Sequence, residues 1–387
     1  MFRAILHLDL DAFFCAVEEL HDASLRGKPF AVGGRPEERG VVASCSYAAR
    51  AHGVHSAMPM SQALRLCPGL IVVSHSRGSY SEMSRQVMER LRNLSPLVEQ
   101  ISIDEAFVDI SDLQAPSAQI AAKLQKQIMD ELGLPCSVGV ASNKLVAKIA
   151  TETGKKSARG PRYPYALTVV PGGSEAEFLA PLSVSMLWGV GPKTEKRLAE
   201  LGIRSIGQLA ALGESTLASL FGENGREMSR HARGQDDRPV VNERATKSIS
   251  QEITFSRDVS DDKVLETTLK ELSAQVGKNL RHEHLAGMTV KIKIRWPDFT
   301  TLTRQITLPV ATDQESEIYR AALELLNKVR EKGQTVRLIG VGISNLGPPA
   351  RQMELWGQEQ SEKARKLNQV LDVLQEKFGD HMIKKGK

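Results

Sequence analysis

Hydrophobic and polar positions change period several times along the chain. Ile5-Leu6-His7-Leu8-Asp9-Leu10-Asp11-Ala12-Phe13-Phe14 begins as a buried strand that carries two acids. In a strand, positions i and i+2 face the same way, so Asp9 and Asp11 can point into one site. Ala12 to Leu25 reads as a helix, Lys28 to Gly34 as a strand and turn, Gly40 to Ser46 as another apolar strand, and Ser81 to Asn93 as a helix. Alternation returns from Leu97 to Ile110, where Val98, Ile101 and Ile103 are followed by Phe107, Val108 and Ile110. That predicts two short strands with a tight connection at Asp104-Glu105. Ser117 to Leu132 is helical, with Ile120, Leu124 and Ile128 at spacing four, Pro135 to Ala141 is a strand, and Ser142 to Ala150 is a helix that starts with a capping residue. Strands that alternate with helices in this way, with acids gathered on them, fit a ferredoxin-like sheet.

From Ala180 the pattern becomes shorter helices without strands. Leu187-Trp188-Gly189-Val190-Gly191-Pro192-Lys193 places two glycines ahead of a helix, so a tight turn can expose backbone N–H groups to a phosphate. Ile206 to Arg230 adds further short helices, and Gly234 to Pro239 is polar and reads as a linker. Beyond it come strands over Lys247 to Phe255, Met288 to Trp296, Thr301 to Leu308 and Val336 to Leu346, with helices near Asp262 to His284 and Gln314 to Lys332. This is a second strand–helix–strand–strand–helix–strand unit. In Met288 to Trp296, Lys291, Lys293 and Arg295 alternate with Val290, Ile292 and Ile294, which lines cations on one sheet face and aliphatics on the other. Such a stripe suits nucleic-acid phosphates. Lys247, Arg304 and Arg337 lie on neighbouring strands, on a face the sequence leaves open.

The side-by-side carboxylates Asp104 and Glu105 repel each other unless a cation sits between them. A hard divalent ion such as Mg²⁺ takes carboxylate oxygens, and Asp9 and Asp11 supply more of them.

His7 to Glu18 and Ser102-Ile103-Asp104-Glu105-Ala106 resemble the two signature motifs of Y-family translesion DNA polymerases, most closely the bacterial DNA polymerase IV branch. The similarity runs in order to about Leu346. It implies an α+β multidomain, right-hand polymerase: a ferredoxin-like palm (1–12 and 77–166), small fingers (13–76), a helical thumb with a helix-hairpin-helix (167–233), a linker (234–246), a ferredoxin-like little finger (247–346) and a tail (347–387). By the same resemblance Asp9, Asp104 and Glu105 are catalytic and, with the Leu10 backbone carbonyl, hold two Mg²⁺ ions, for which Mn²⁺ can substitute; Asp11 is supporting. Phe13, Phe14, Tyr47, Arg50 and Lys155 are the expected substrate-binding residues. Phe14 is the steric gate against a 2′-hydroxyl, and small residues Ala43 and Ser44 roof the nascent base pair. The family places proline after its lysine, whereas this chain has Lys155-Lys156-Ser157, so either lysine can serve. Gly189, Gly191, Lys193, Lys247, Lys291, Lys293 and Arg295 are the expected DNA contacts. Lys144 and Lys148, one turn apart, face either solvent or the substrate side. Gln352-Met353-Glu354-Leu355-Trp356 resembles the peptide with which bacterial polymerases dock on the sliding clamp, with Gln352, Met353, Leu355 and Trp356 as its contacts. Leu367, Val370, Leu371, Leu374 and Phe378 make an amphipathic helix after it.

Bulk properties narrow the remaining classes. The chain has 387 residues, 41% hydrophobic, with net charge +5, which is mildly basic and compatible with nucleic acid. No run is apolar enough to span a bilayer and no leader precedes it, so a cytoplasmic, membrane-free monomer is expected. Cys15, Cys45, Cys67 and Cys136 lack CxxC spacing, which argues for reduced thiols rather than zinc or disulfides. Primer–template DNA, deoxynucleoside triphosphates and the clamp are the expected partners. Two rivals are a nucleotidyl cyclase, which needs none of the chain beyond Ala180, and a catalytically silent DNA-bound adaptor, which could dispense with the acids. No exonuclease-type acid cluster is evident, so no proofreading is expected.

Overall fold

Alternation along the first strand decides which side of the sheet carries chemistry. β1 (Ile5–Leu10) sends Leu6, Leu8 and Leu10 into one core and Ile5 into another, with His7 and Asp9 on the Ile5 side. The structure, a computed structural model, describes residues 3–349 except 159, 161 and 244. Two compact units, Met1–Arg244 and Ala245–Lys387, divide the chain.

In the first unit α1 (Phe13–His21) follows β1. A small three-stranded sheet, β2 (Phe30–Gly33), β3 (Val42–Cys45) and β4 (Ile71–Val73), packs with α2 (Tyr47–Arg50) and α3 (Met60–Leu66) around its own core, which holds Val42, Cys45, Met58 and Met60. Then come α4 (Arg77–Leu94), β5 (Val98–Gln100), β6 (Glu105–Asp109), α5 (Ser117–Leu132), β7 (Cys136–Ala141), α6 (Lys144–Ser157) and β8 (Leu167–Val169). The main sheet has the order β5-β6-β1-β7-β8, with β1 antiparallel to both β6 and β7. One face buries residues of α1, α4 and α5; the other buries α6 and the helices that follow. Leu167–Val169, expected to open the helical thumb, instead pairs in parallel with β7 and closes the palm sheet.

Glu105 is likewise the first residue of β6 rather than part of a two-residue turn, because it is the register partner of Asp9. Helices α7 (Glu175–Leu179), α8 (Pro192–Glu200), α9 (Ile206–Ala210), α10 (Glu214–Phe221) and α11 (Glu223–Ala232) complete the helical part. Gly189 precedes α8 at φ 94°, a left-handed conformation that favours glycine, and Gly191 is the N-cap with Pro192 at the first helical position.

The stretch expected as a linker is docked over most of its length. Asn143 Nδ2 donates to the Gly234 carbonyl (2.8 Å), the Leu145 amide to Asp236 Oδ2 (3.1 Å) and the Val241 amide to Glu99 Oε2 (3.1 Å). Asn242 bonds to the Val98 amide and the Pro96 carbonyl. Polar residues flanked by Gly and Pro resemble a free linker in sequence because their partners lie about 90 to 145 positions away.

The second unit runs β9 (Ser248–Val259), α12 (Asp262–His282), β10 (Ala286–Arg295), β11 (Thr301–Thr312), α13 (Glu315–Val329) and β12 (Val336–Gly347). Its element order equals that of the palm's core, but its pairing differs. The strand order is β11-β10-β12-β9, so the last strand pairs with the first and second. In the palm the first strand is central instead. Both helices pack on one face, through Leu265, Leu269, Val276, Ile318 and Ala322 against Val290, Ile292 and Ile294.

All four cysteines are free and buried. Among the described residues no helix is long and apolar enough to cross a membrane. Gln352, Met353, Leu355, Trp356 and the amphipathic tail helix lie outside the described residues.

Candidate active site

Helix α6 lies across the Ile5–His7–Asp9 side of the sheet, and its polar positions 144, 148, 151 and 155 form one stripe at spacings of four, three and four. Each meets a partner on the sheet. Lys144 Nζ is 2.8 Å from Glu99 Oε2, with both side chains buried. Lys148 pairs with Glu105. Thr151 Oγ1 is 2.8 Å from His7 Nδ1, and His7 Nε2 lies 2.6 Å from Glu105 Oε1. Lys155 Nζ is 2.5 Å from Asp9 Oδ1 and 3.6 Å from Asp11 Oδ1. The solvated-face alternative for Lys144 is therefore corrected: its charge is buried because Glu99 compensates it. Of the two candidate lysines, Lys155 turns to the acids, whereas exposed Lys156 turns to Met186.

The three expected catalytic acids come together at the end of β1. Asp9 and Glu105 are opposite one another in the ladder, and the Leu10 amide donates to the Asp104 carbonyl (2.9 Å), which ties the acidic connection to the strand end. Asp104 accepts from Ser102 Oγ at 2.5 Å. Burial raises Asp9 to about 6, against the pull of the Lys155 ammonium. Burial would also raise Glu105, but the hydrogen bonds from His7 and Lys148 and their charges outweigh it and bring Glu105 down to about 2. Burial lowers His7, against the hydrogen bond and charge of Glu105, which pull the other way. Asp11 is fully buried, accepts from Ser137 Oγ (2.8 Å) and the Tyr165 amide (3.0 Å), and supports Lys155.

Every donor here is an oxygen, the set a hard divalent cation prefers. Among the described residues no ready-made cluster of three metal-ligating side chains is closed, since ammonium groups already engage Asp9 and Glu105. The residues fit such an ion by their chemistry, with the lysines supplying positive charge in the same place.

The expected substrate residues divide. Phe14 is half-buried and stacks on Tyr80, ring centroids 4.3 Å apart at 15°. Phe13 is 2% exposed within the core, so its side chain cannot meet a substrate and only its backbone remains for that role. Arg50 lies over the Tyr47 ring at 4.4 Å, and burial pushes the Tyr47 hydroxyl up to about 12. Ser44 points inward to Cys15 Sγ (3.6 Å), which leaves Ala43 as the small side chain on the surface of β3. Lys148, which the sequence leaves to solvent or to the substrate side, turns to Glu105. His7, Thr151 and Tyr80 have no site role in the sequence reading, and of these only Thr151 has a signal there, the stripe spacing in α6.

In the second unit the open sheet face carries Lys291, Lys293 and Arg295. Lys293 is already paired with Glu252 (2.7 Å), and Arg295 Nε donates to Thr301 Oγ1 (2.9 Å). Arg304 is directly opposite the buried Ile292, which puts it on the helix-covered side, and Arg337 stacks on Phe299 at 4.3 Å. Lys247 lies one residue before β9, and Lys193 is exposed in the first turn of α8.

Comparison with known proteins places this geometry among relatives. The chain matches the impB/mucB/samB family over residues 8–152, the C-terminal domain of that family over 246–355 and the IMS family HHH motif over 173–203. It is 43% identical over 385 residues to a DNA polymerase IV of Desulfatibacillum aliphaticivorans, covering 98% of this chain and 95% of that protein. It is 41% identical to a DNA polymerase IV of Dehalococcoides mccartyi (strain CBDB1), covering 100% and 97%. Among solved structures, a Y-family DNA polymerase chimera of Dbh and Dpo4 matches with TM-score 0.79 at 26% identity, covering 89% of this chain and 99% of that one. An insertion ternary complex of Dbh DNA polymerase matches with TM-score 0.62 at 26% identity, covering 89% and 99%.

Proposed function

Because the chain belongs to the impB/mucB/samB family of Y-family DNA polymerases, and is thereby a DNA-directed DNA polymerase of translesion synthesis, we propose that Asp9, Asp104 and Glu105 carry distributive, low-fidelity nucleotidyl transfer past damaged template bases, without proofreading. The observation that carries this reading is the register pairing of Asp9 with Glu105, with Asp104 beside them and Lys155 above. Intact acids favour it over a silent adaptor, and the matched C-terminal domain favours it over a cyclase. The protein works in the cytoplasm as a monomer recruited to the clamp through Gln352-Trp356. Extension through an abasic site by the wild type, with no shortening of a labelled primer when nucleotides are withheld, is the expected result; stalling at the lesion or 3′ degradation counts against it.

Asp9, Asp104, Glu105 and the Leu10 carbonyl would hold two Mg²⁺ ions, or Mn²⁺ in their place. Such ions, when bound, lower the pKa of the primer 3′-hydroxyl and offset charge on the departing pyrophosphate. The chain's own residues do the rest. Lys155 presents an ammonium at the acid face, Arg50 a planar fork and Tyr47 a hydroxyl for the triphosphate oxygens. His7 and Lys148 keep Glu105 ionised and oriented toward the site. Protons compete with cations for Asp9, so the half-saturating Mg²⁺ concentration for insertion should rise as pH falls below about 6. A metal titration at pH 7 and pH 5.5 with equal half-saturation would contradict this.

Phe14, braced by Tyr80, is positioned to exclude a 2′-hydroxyl. Phe14→Ala should reduce the preference for deoxy- over ribonucleotides by roughly ten- to several-hundredfold, with deoxynucleotide insertion retained. An unchanged sugar preference in single-nucleotide insertion assays would make Phe14 core packing.

On the open sheet face, Lys291→Ala should weaken primer–template binding and reduce the steepness of its salt dependence by about one unit of log–log slope. Lys293→Ala should do less, because Glu252 already neutralises Lys293. Equal effects in anisotropy titrations across salt would show that this pairing does not persist in solution.

A further inference from the structure

A cavity of about 690 Å³ lies between α1, the segment before β2 and the 162–165 loop, with Tyr47 in its wall. Its size is in the range of sites that enclose a small molecule. Asp9, Asp104, Glu105, Phe14 and Lys155 are not among its lining residues. Three of its wall residues also touch residues of the candidate active site. Tyr47 lines the cavity, and its ring also carries Arg50. Two further wall residues, Pro135 and Tyr165, grip Asp11 through the Asp11 amide to the Pro135 carbonyl (2.9 Å) and the Tyr165 amide to Asp11 Oδ2 (3.0 Å).

The lining is chemically biased. Arg26, Lys28 and Arg162 contribute three cations against one acid, Glu19, which faces the buried Tyr163 hydroxyl. Tyr47, Tyr163 and Tyr165 supply aromatic surface, the first two meeting edge to face at 5.6 Å. Cations suit phosphate oxygens, and tyrosine rings suit a nucleobase. Pyrophosphate alone would leave most of this volume and all of the aromatic wall unused. We propose that the cavity is a second, metal-independent site for a nucleoside triphosphate, from which the nucleotide reaches the catalytic acids past Tyr47.

The inference rests on the polymerase reading for the role of the nucleotide, but its test does not require catalysis. Binding of dATP to the full chain is measured by calorimetry in EDTA, where the acids cannot hold a metal–triphosphate. The wild type and the Asp104→Ala/Glu105→Ala variant should both bind, while Lys28→Ala/Arg162→Ala should bind at least about tenfold more weakly. Both substituted cations are exposed, so the fold is kept, and an unchanged circular dichroism spectrum checks it. Tyr165→Ala should also weaken dATP binding but leave pyrophosphate binding unchanged. In primer extension with metal, Lys28→Ala/Arg162→Ala should raise the KM for dATP and leave kcat as in the wild type. No binding in EDTA, equal binding by the Lys28/Arg162 variant, or pyrophosphate binding as tightly as dATP overturns the proposal. A wild type that binds dATP in EDTA yet extends no primer would keep the cavity and refute the polymerase reading instead.

Discussion

Replacing Asp104 and Glu105 together by alanine is expected to lower single-nucleotide insertion by at least about 10³-fold, roughly 4 kcal/mol of transition-state stabilisation, while primer–template binding persists. The two carboxylates differ in what else they do. Glu105 is the meeting point of His7, Lys148 and burial, so its loss also leaves the His7 ring and the Lys148 ammonium without their acceptor. Asp104 sits at the half-exposed end of the connection, where its carboxylate accepts locally from Ser102 Oγ and its tie to β1 runs through its backbone carbonyl, which alanine keeps. Asp104→Ala alone should therefore show nearly the full loss of rate with an unchanged melting temperature, which separates chemistry from folding. A residual rate within about tenfold of wild type would mean that these acids do not carry the reaction.

The second large effect falls on stability. Lys144→Met leaves the Glu99 carboxylate buried, with side-chain exposures of 4% and 1% for the pair in the native protein. Removing one member of such a pair costs about 3–5 kcal/mol, because the remaining buried charge loses the counter-charge that offsets its desolvation. Glu99 also accepts from the Val241 amide, so the docked segment ahead of the second unit should loosen with it. Hydrogen exchange of the β1 and β6 amides should accelerate by about two to three orders of magnitude. Lys144→Met/Glu99→Leu should recover most of this, since a buried ion pair can often be replaced by apolar groups at little cost. If the double variant is as unstable as the single one, packing rather than charge is responsible.

The acids proposed as catalytic were legible as a group because their spacing is local: Asp9 lies on a strand, and Asp104 and Glu105 lie at the edge of the next alternating run. What holds them was not. His7 read as one more residue of a buried strand, yet it orients Glu105 from 98 positions away. Lys144 and Lys148, one turn apart, suited either solvent or the substrate side, and only the sheet beneath α6 shows that the stripe through Thr151 to Lys155 faces inward. Element order in the second unit followed from periodicity, but pairing order did not, because each strand's alternation suits either neighbour equally. Thus the face of Arg304 emerged only from its register with Ile292. Segment 234–242 looked unattached for the same reason: hydrogen bonds to Glu99 and Asn143 leave no mark on local composition.

The most direct measurement is extension of a labelled primer on undamaged template by the wild type, with four deoxynucleotides, in Mg²⁺ and in EDTA, beside Asp104→Ala. Short, distributive, template-directed products from the wild type in Mg²⁺ alone are the predicted result. A wild type that binds the primer–template but adds no nucleotide in Mg²⁺, or one that extends equally in EDTA, would contradict metal-dependent synthesis at Asp9, Asp104 and Glu105.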